Sequence, residues 1–387
     1  MKISSIKVCH VSTVHKLYDP RIFYKECISL TNHGYRVYYI VSYDSSCVIN
    51  GVRIVPLPTF DARFPRIFVK TLLALAKAIS INAHIYHLHD PELIPIGFVL
   101  RLLGKRVIFD SHELFEYQLL DKEWVPYAIK AIVRKMYFLL RDFYVKFFDA
   151  VILAEDKYSE SFNKYRNYTH KIFKIRNYPI LSKVLRYSRV ETRRNKERRH
   201  FIVGYNGSLA RVRGIKEMIE AVERLDDSVK LLLVGKWSNE KFREECQKMR
   251  GWKKVEYLGF KKLDEIYKIV SGFDIGMTVL YPVKNYTTTM PVKTFEFMAL
   301  GIPMILSNFD SWREVYSGCA LFVDPRNPDD IAEKIETLRR DEQLRKKLGA
   351  TGKRLVLEKY SWEREEKRLF EAYDFCLWRK GIKDVSE

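Results

Sequence analysis

Residues 203–222 read VGYNGSLARVRGIKEMIEAV. An apolar run ends at a glycine-bearing turn, two arginines follow, and a helical pattern begins near Gly214. Such a strand–turn–helix unit builds parallel sheets covered by helices. Downstream the alternation recurs through VKLLLVGKW, VEYLGF, DIGMTVLY, IPMILSN and ALFVDP. Upstream it runs through IKVCHVS, YRVYYIVSY, HIYHLHD, RVIFDSHE and AVILAE. The helix DPRIFYKECISLTNHG follows the first strand, with Pro20 suited to its first turn and Gly34 to its C-cap. The expected fold class is α/β, with two Rossmann-like halves facing across a cleft, where open α/β sheets bind ligands.

The halves meet at SKVLRYSRVETRRNKERRH, residues 182–200, which carries eight Lys/Arg against two Glu and has no apolar period. It reads as a basic linker between a first domain, 1–181, and a second, 201–361. Over 387 residues Lys and Arg number 68 against 48 Asp and Glu, a net charge of +20. That balance favours anionic partners such as phosphorylated small molecules, anionic lipid or nucleic acid. The six cysteines stand apart without CxxC pairs, indicating neither a disulfide framework nor zinc and fitting a reducing cytoplasm. The start lacks a signal-peptide pattern and no apolar run reaches the ~20 residues of a bilayer span, so contact with a membrane would be peripheral.

Several constellations can carry chemistry. In the opening stretch Arg211 and Arg213 precede a helix start, where backbone N–H groups and the helix dipole favour phosphate. A loop with two solvated arginines reads equally well. The stretch TMPVKTFEFMALGIP, residues 289–303, is a helix with little polar face that nevertheless holds Lys293 and Glu296. Pro291 suits its first position, and a lysine in the first turn opposes the dipole unless an anion is near. A Lys293–Glu296 pair is worth only a few tenths of a kcal/mol. A ligand offering phosphate to Lys293 and vicinal hydroxyls to Glu296 explains the buried setting better.

In RVIFDSHELFEY, residues 106–117, Asp110, His112 and Glu113 fall at a strand's C-terminal end, and HLHDPEL puts His89 and Asp90 at another. His112 could bond a sugar hydroxyl or polarise a carbonyl; Asp110, Glu113 and Asp90 are candidates for the acceptor or sugar side. Without cysteine or paired carboxylates at metal spacing, neither stretch reads as a metal site. Two basic stripes among apolar residues, Lys130/Arg134/Arg141 and Arg66/Lys70/Lys77, suit an anionic membrane surface, or are solvated faces of ordinary helices.

Together DPRIFYKECISL, DSHELFEY, YNGSLARVRGI, PVKTFEFMALGIPMILSN and YSWE resemble family-4 retaining glycosyltransferases of the GT-B fold, nearly along the whole chain. The resemblance implies a nucleotide-sugar donor held mainly by the second domain, with residues 362–387 crossing back to the first. It implies that Glu296 grips the donor ribose, Arg213 faces the diphosphate, His112 lies near the transferred sugar, and the backbone of Thr289 and Met290 faces the donor. Two positions depart from the family: Thr288 stands where a second Glu is common, and Ser208 where an Arg is usual. Arg211 is then the candidate to supply the missing charge, with Lys293 in support. The expected activity is transfer of a hexose-like sugar to a glycan or lipid-linked acceptor in cell-envelope polysaccharide or glycolipid synthesis, with retention. Leaving-group stabilisation by Arg211, Arg213 and Lys293 makes a metal unnecessary, and no DxD-type motif stands where one would be needed. No cofactor or metal is expected, and no nucleic-acid partner, since no reading motif is present. The alternatives are a nucleotide-sugar epimerase on the same scaffold, or a non-catalytic basic binding protein.

Overall fold

The computed structural model describes residues 3–60, 62, 67–111, 127–155, 170–188, 200–283 and 286–378. The chain divides into two compact units, Met1–Asn177 with Trp362–Glu387, and Tyr178–Ser361. Each is built on one sheet.

The first sheet contains β1 (Lys7–Lys16), β2 (Arg36–Ser42), β3 (Cys47–Ile49), β4 (Val52–Leu57), β5 (Ile85–Leu88), β6 (Arg106–Ser111), β7 (Ala150–Leu153) and β8 (Ile172–Lys174). Their order is β3-β4-β2-β1-β5-β6-β7-β8. Only β3 is antiparallel, joined to β4 through Asn50 and Gly51 at φ 51° and 79°. Two successive left-handed residues are what a two-residue hairpin needs. Strands β5 and β7 are buried at every position, as strands with helices on both faces must be.

The segment expected as one α-helix after β1 starts as a π-helical turn, Ile22–Cys27, and continues as Ile28–Asn32. Lys25 and Glu26 of this wide turn are both buried. The C-terminal helix Trp362–Trp378 belongs to this unit. Trp362 Nε1 donates to Ser29 Oγ at 2.9 Å, and Glu365 accepts the Arg176 N–H at 2.7 Å.

Both basic stripes need correction. Lys70, on the helix Val69–Ile81, is buried and donates Nζ to Thr13 O at 2.5 Å and to Ser42 Oγ. Arg141, on the helix Tyr127–Val145, is also buried; it pairs with Asp142 at 2.9 Å and lies over the Phe138 ring. Their long stems are part of the core, so neither charge is a surface charge. Arg66 lies outside the described residues. On the helix Tyr127–Val145 the solvent instead meets Ile132, Met136, Leu139 and Phe143, a helical stripe between 50 and 63 % exposed. No helix among the described residues is long and apolar enough to cross a membrane.

The second sheet contains β9 (Phe201–Asn206), β10 (Val229–Val234), β11 (Val255–Tyr257), β12 (Ile275–Thr278), β13 (Met304–Ser307) and β14 (Ala320–Val323). Its order is β11-β10-β9-β12-β13-β14, parallel throughout. This is the doubly wound order, whose connections leave in opposite directions from β9 and β12. Of the basic stretch 182–200, residues Leu181–Val184 and Leu185–Tyr187 are short helical turns, and 189–199 lie outside the described residues.

The turns after β9 and β10 touch. Gly235 has φ 148°, and a Cβ there would stand 1.7 Å from the Gly207 carbonyl oxygen. A side chain at 235 therefore meets both a strained backbone and a backbone atom that cannot step aside. Gly235→Ala is expected to cost about 3 kcal/mol of stability and to displace the turn at Gly207. Urea denaturation measures the first effect, and an unchanged midpoint would contradict this packing.

Candidate functional site

The segments that leave β9 and β12, at the switch point of the second sheet, carry Arg213, Lys293 and Glu296. Strand β9 ends in Tyr205 and Asn206, and the following turn leads through Arg211–Arg213 to the helix Ile215–Glu223. The Tyr281 N–H donates to Val212 O at 2.9 Å, tying that turn to the chain leaving β12. From there the loop through Thr287–Met290 reaches the helix Val292–Leu300. Its carbonyls are pinned from one side: Ser311 Oγ donates to Thr287 O at 2.7 Å and Trp312 Nε1 to Thr289 O at 2.9 Å. Pro291 is the N-cap residue, one position before the helix rather than in its first turn. Its fixed φ and its carbonyl, which accepts the Thr294 N–H at 3.1 Å, start the helix.

Lys293 and Glu296 are both buried, at 8 and 7 % exposure. They do not form the intrahelical pair. Lys293 Nζ donates instead to Asn206 O at 2.8 Å and sits 3.5 Å from the centre of the Tyr205 ring. Gly207, at φ 136°, permits this approach, since a Cβ there would lie 3.3 Å from the same Nζ. Arg213 lies over the Tyr286 ring at 5.3 Å. Burial by itself would lower the Arg213 pKa, but the Tyr205 and Tyr286 phenols beside it raise it on balance. For Lys293 burial dominates, the Arg213 charge adds to it, and Glu296 only partly opposes them, so its pKa is well below the usual lysine value. Burial likewise pushes the Tyr205 phenol up to about 12, against the pull of Arg213.

Among the described residues no carboxylate lies within ion-pairing distance of Arg213 or Lys293. The Lys293 charge is disfavoured by burial and by Arg213, and the two side chains are held by phenols and a carbonyl. One turn along the helix, Glu296 accepts a hydrogen bond from Tyr267 OH at 3.3 Å. Burial first, and the Glu296 charge second, raise the Tyr267 pKa, so this phenol remains a donor.

Other expected residues are placed differently. Arg211 is half exposed, pairs with Glu245 and lies over Phe242 at 5.0 Å, so its guanidinium is turned away from Arg213 and Lys293. Ser208 is exposed, and its carbonyl accepts from Tyr205 OH at 2.9 Å. Met290 packs against the core of the second unit. In the first unit Asp110 is committed to Arg21 through two bonds of 2.8 and 3.1 Å. Asp90 accepts from Ser12 Oγ at 2.9 Å and Thr13 N at 2.7 Å, closing the end of β1. Both carboxylates are thus engaged within the first unit. His112 and Glu113 lie outside the described residues. Sequence reasoning missed the phenols of Tyr205, Tyr267 and Tyr286, whose spacing follows no motif; only the placement of Tyr205 beside Asn206–Gly207 at a strand end gave a signal.

Residues 189–355 match the family of glycosyl transferases group 1. An uncharacterized glycosyltransferase of Methanocaldococcus jannaschii is 26% identical over 180 residues, 45% of each chain. The N,N'-diacetylbacillosaminyl-diphospho-undecaprenol alpha-1,3-N-acetylgalactosaminyltransferase of Campylobacter jejuni is 26% identical over 164 residues, 42% of this chain and 41% of that one. The matches thus span less than half the length of these relatives. Among solved structures, sucrose-phosphate synthase from Thermosynechococcus elongatus superposes with a TM-score of 0.77 over 97% of this chain and 100% of its own, at 16% identity. Anabaena HepE in complex with UDP-glucose gives 0.70 over 95% and 99%, at 12% identity. The chain has the two-domain α/β fold of these GT-B proteins, and its stretch similar to glycosyl transferases group 1 is the one that carries Arg213, Lys293 and Glu296.

Proposed function

We propose that the protein is a retaining, metal-independent glycosyltransferase that moves a sugar from a nucleoside-diphosphate sugar to a hydroxyl acceptor. The observation that carries this reading is the unneutralised Arg213–Lys293 pair one helical turn from the buried Glu296. A diphosphate supplies the anion the cations lack, and a ribose diol supplies hydrogen-bond donors to the carboxylate. As the glycosidic bond breaks, negative charge gathers on the leaving diphosphate. Arg213 and Lys293, already desolvated and fixed, stabilise that charge more than the ground state, which is the source of rate. A divalent ion has no task left at the phosphates. The family match over residues 189–355 and the relatives named as glycosyltransferases support the same class of reaction.

The acceptor is proposed to be a lipid-linked or envelope glycan met at an anionic membrane. The support is the exposed stripe Ile132, Met136, Leu139 and Phe143, flanked by exposed Arg134 and Lys135. The Campylobacter relative carries an undecaprenol-linked acceptor in its name.

Thermal shifts against UDP- and GDP-sugars, followed by transfer assays with lipid extracts, test the reading. One nucleotide sugar is expected to raise the melting temperature in the presence of a chelator, and its transferred sugar is expected to keep its anomeric configuration by NMR. Epimerisation of the donor without acceptor would replace this reading with the epimerase. Co-flotation with phosphatidylglycerol vesicles but not phosphatidylcholine vesicles is expected, and its failure removes the membrane from the proposal.

A further inference from the structure

The core of the first unit encloses four side chains with metal-ligating atoms. His10 on β1 and His87 on β5 are register partners, and His89 lies two residues beyond His87 on the same face of the sheet. The π-helical turn brings Glu26 over them. His10, His87 and Glu26 are completely buried and His89 is 3 % exposed. Their ligand atoms all lie within 4.8 Å of one another. Glu26 Oε2 stands 3.9 Å from His10 Nδ1, 3.8 Å from His89 Nε2 and 4.0 Å from His87 Nδ1. Those separations are too long for hydrogen bonds, and neither Glu26 oxygen meets a donor in bonding geometry, although Arg21 Nε approaches Oε1 to 3.1 Å. Arg21, the cation paired with Glu26 Oε1, is itself bonded twice to Asp110, and Glu26 Oε2 is the oxygen that faces the three imidazoles.

We propose that His10, Glu26, His87 and His89 form a buried site for one divalent first-row transition ion, zinc foremost. Ligand atoms at ~2.0–2.2 Å around a tetrahedral zinc stand about 3.4 Å apart. The separations here, 2.9 Å for His10 Nδ1 to His89 Nε2 and 3.8–4.0 Å from Glu26 Oε2 to each imidazole, straddle that value, and all the ligand atoms lie within 4.8 Å of one another. Three imidazoles with one carboxylate suit zinc and its neighbours, whereas magnesium and calcium prefer oxygen. Two of the far nitrogens have neighbours of the kind that orient ligating histidines: His10 Nε2 is 3.3 Å from Tyr373 OH, and His89 Nδ1 is 3.5 Å from Asp110 Oδ2. His87 Nδ1 is hydrogen-bonded to Tyr373 OH at 2.9 Å, a bond that the ion would displace. Binding would break the His10–His89 hydrogen bond, move its proton to the other nitrogen of the donor ring, and tie β1, the π-helical turn and β5 into one unit. The site is structural and contains none of the residues of the proposed donor site in the second unit. Because every ligand is buried, the ion enters as the chain folds.

The test uses the full chain without a histidine tag, expressed in medium supplemented with zinc and, separately, with cobalt. About one zinc per folded chain is expected by elemental analysis after gel filtration. The cobalt protein is expected to show visible d–d bands without a thiolate charge-transfer band in the near ultraviolet. Glu26→Gln and His87→Gln are expected to lose the ion and to melt at lower temperature. Folded wild-type protein carrying no stoichiometric metal overturns the proposal, as does metal retained in both variants. If the variants fail to fold, the wild-type cobalt spectrum decides, because thiolate bands would place the ion at cysteines. Donor binding is read separately by thermal shift on metal-loaded protein, so failure here leaves the glycosyltransferase reading in place, and the reverse.

Discussion

Arg213→Ala is expected to lower kcat by about 10²- to 10³-fold while the protein stays folded, measured by initial rates with the donor that the thermal-shift screen identifies. The magnitude follows from when the charge appears. Before the bond breaks, the diphosphate's charge is shared between two phosphates and the solvent; afterwards it is concentrated where Arg213 and Lys293 wait. An interaction that strengthens along the reaction lowers kcat when removed, and KM changes less. Arg213→Lys keeps a charge but loses the fork that engages two oxygens, so it should recover only part of the rate.

Lys293 provides an internal check on this assignment. Its pKa is depressed by burial and then by Arg213, so removing Arg213 should let it rise. The variant therefore keeps one better-protonated cation, and the double variant Arg213→Ala/Lys293→Met should lose less than the product of the single losses. Arg211→Ala, by contrast, removes a half-exposed side chain paired with Glu245. Its effect should stay within a few-fold. Full activity in Arg213→Ala, or a collapse in Arg211→Ala, would reverse the roles of the two arginines.

That pair of arginines shows where sequence reading stopped. Both precede the same helix start, and spacing alone could not choose between them. The choice was made by a 3₁₀ turn over Arg211–Arg213 that sends one side chain to Glu245 and the other towards Tyr286. The alternation of buried strands and amphipathic helices was legible because a strand covered on both faces must be apolar along its length, as β5 and β7 are. The hairpin β3–β4 also had a signal, Asn50–Gly51 between short apolar runs, but its strands are too short to stand out by periodicity. The two stripes of basic residues misled for a different reason. Lysine and arginine stems are long enough to be buried to the head group, and Lys70 and Arg141 find partners inside. The histidine cluster was illegible in principle: His10, Glu26 and His87 are distant in sequence, and only the β1–β5 register and a π-helical turn unite them.

Glu296→Ala is expected to weaken donor binding by about 10- to 100-fold, the loss of two hydrogen bonds to a buried carboxylate. The alternative is that Glu296 exists only to accept from Tyr267, whose hydroxyl it meets at 3.3 Å. The two roles part on three measurements. First, Tyr267→Phe removes the internal bond but leaves the carboxylate, so a ribose clamp predicts a small change in affinity, and a purely internal role predicts a change in stability alone. Second, a 2′-deoxyribose donor, which keeps one of the two hydroxyls, should bind the wild type more weakly than the normal donor does, but less weakly than the normal donor binds Glu296→Ala. Third, the variant should hardly distinguish the two donors, since the group that reads the hydroxyl is gone; this is a mutant cycle in which one mutation is made in the ligand. Equal affinity of wild type and Glu296→Ala would end the ribose assignment. Lower affinity with undiminished discrimination against the deoxy donor would move the clamp to another residue. Glu296 is 7 % exposed among Phe295, Phe297 and Met298, and a buried carboxylate one helical turn from Lys293 is placed to accept from a ribose diol. Whether its acceptor capacity is used by the ligand is what the deoxy donor puts to the test.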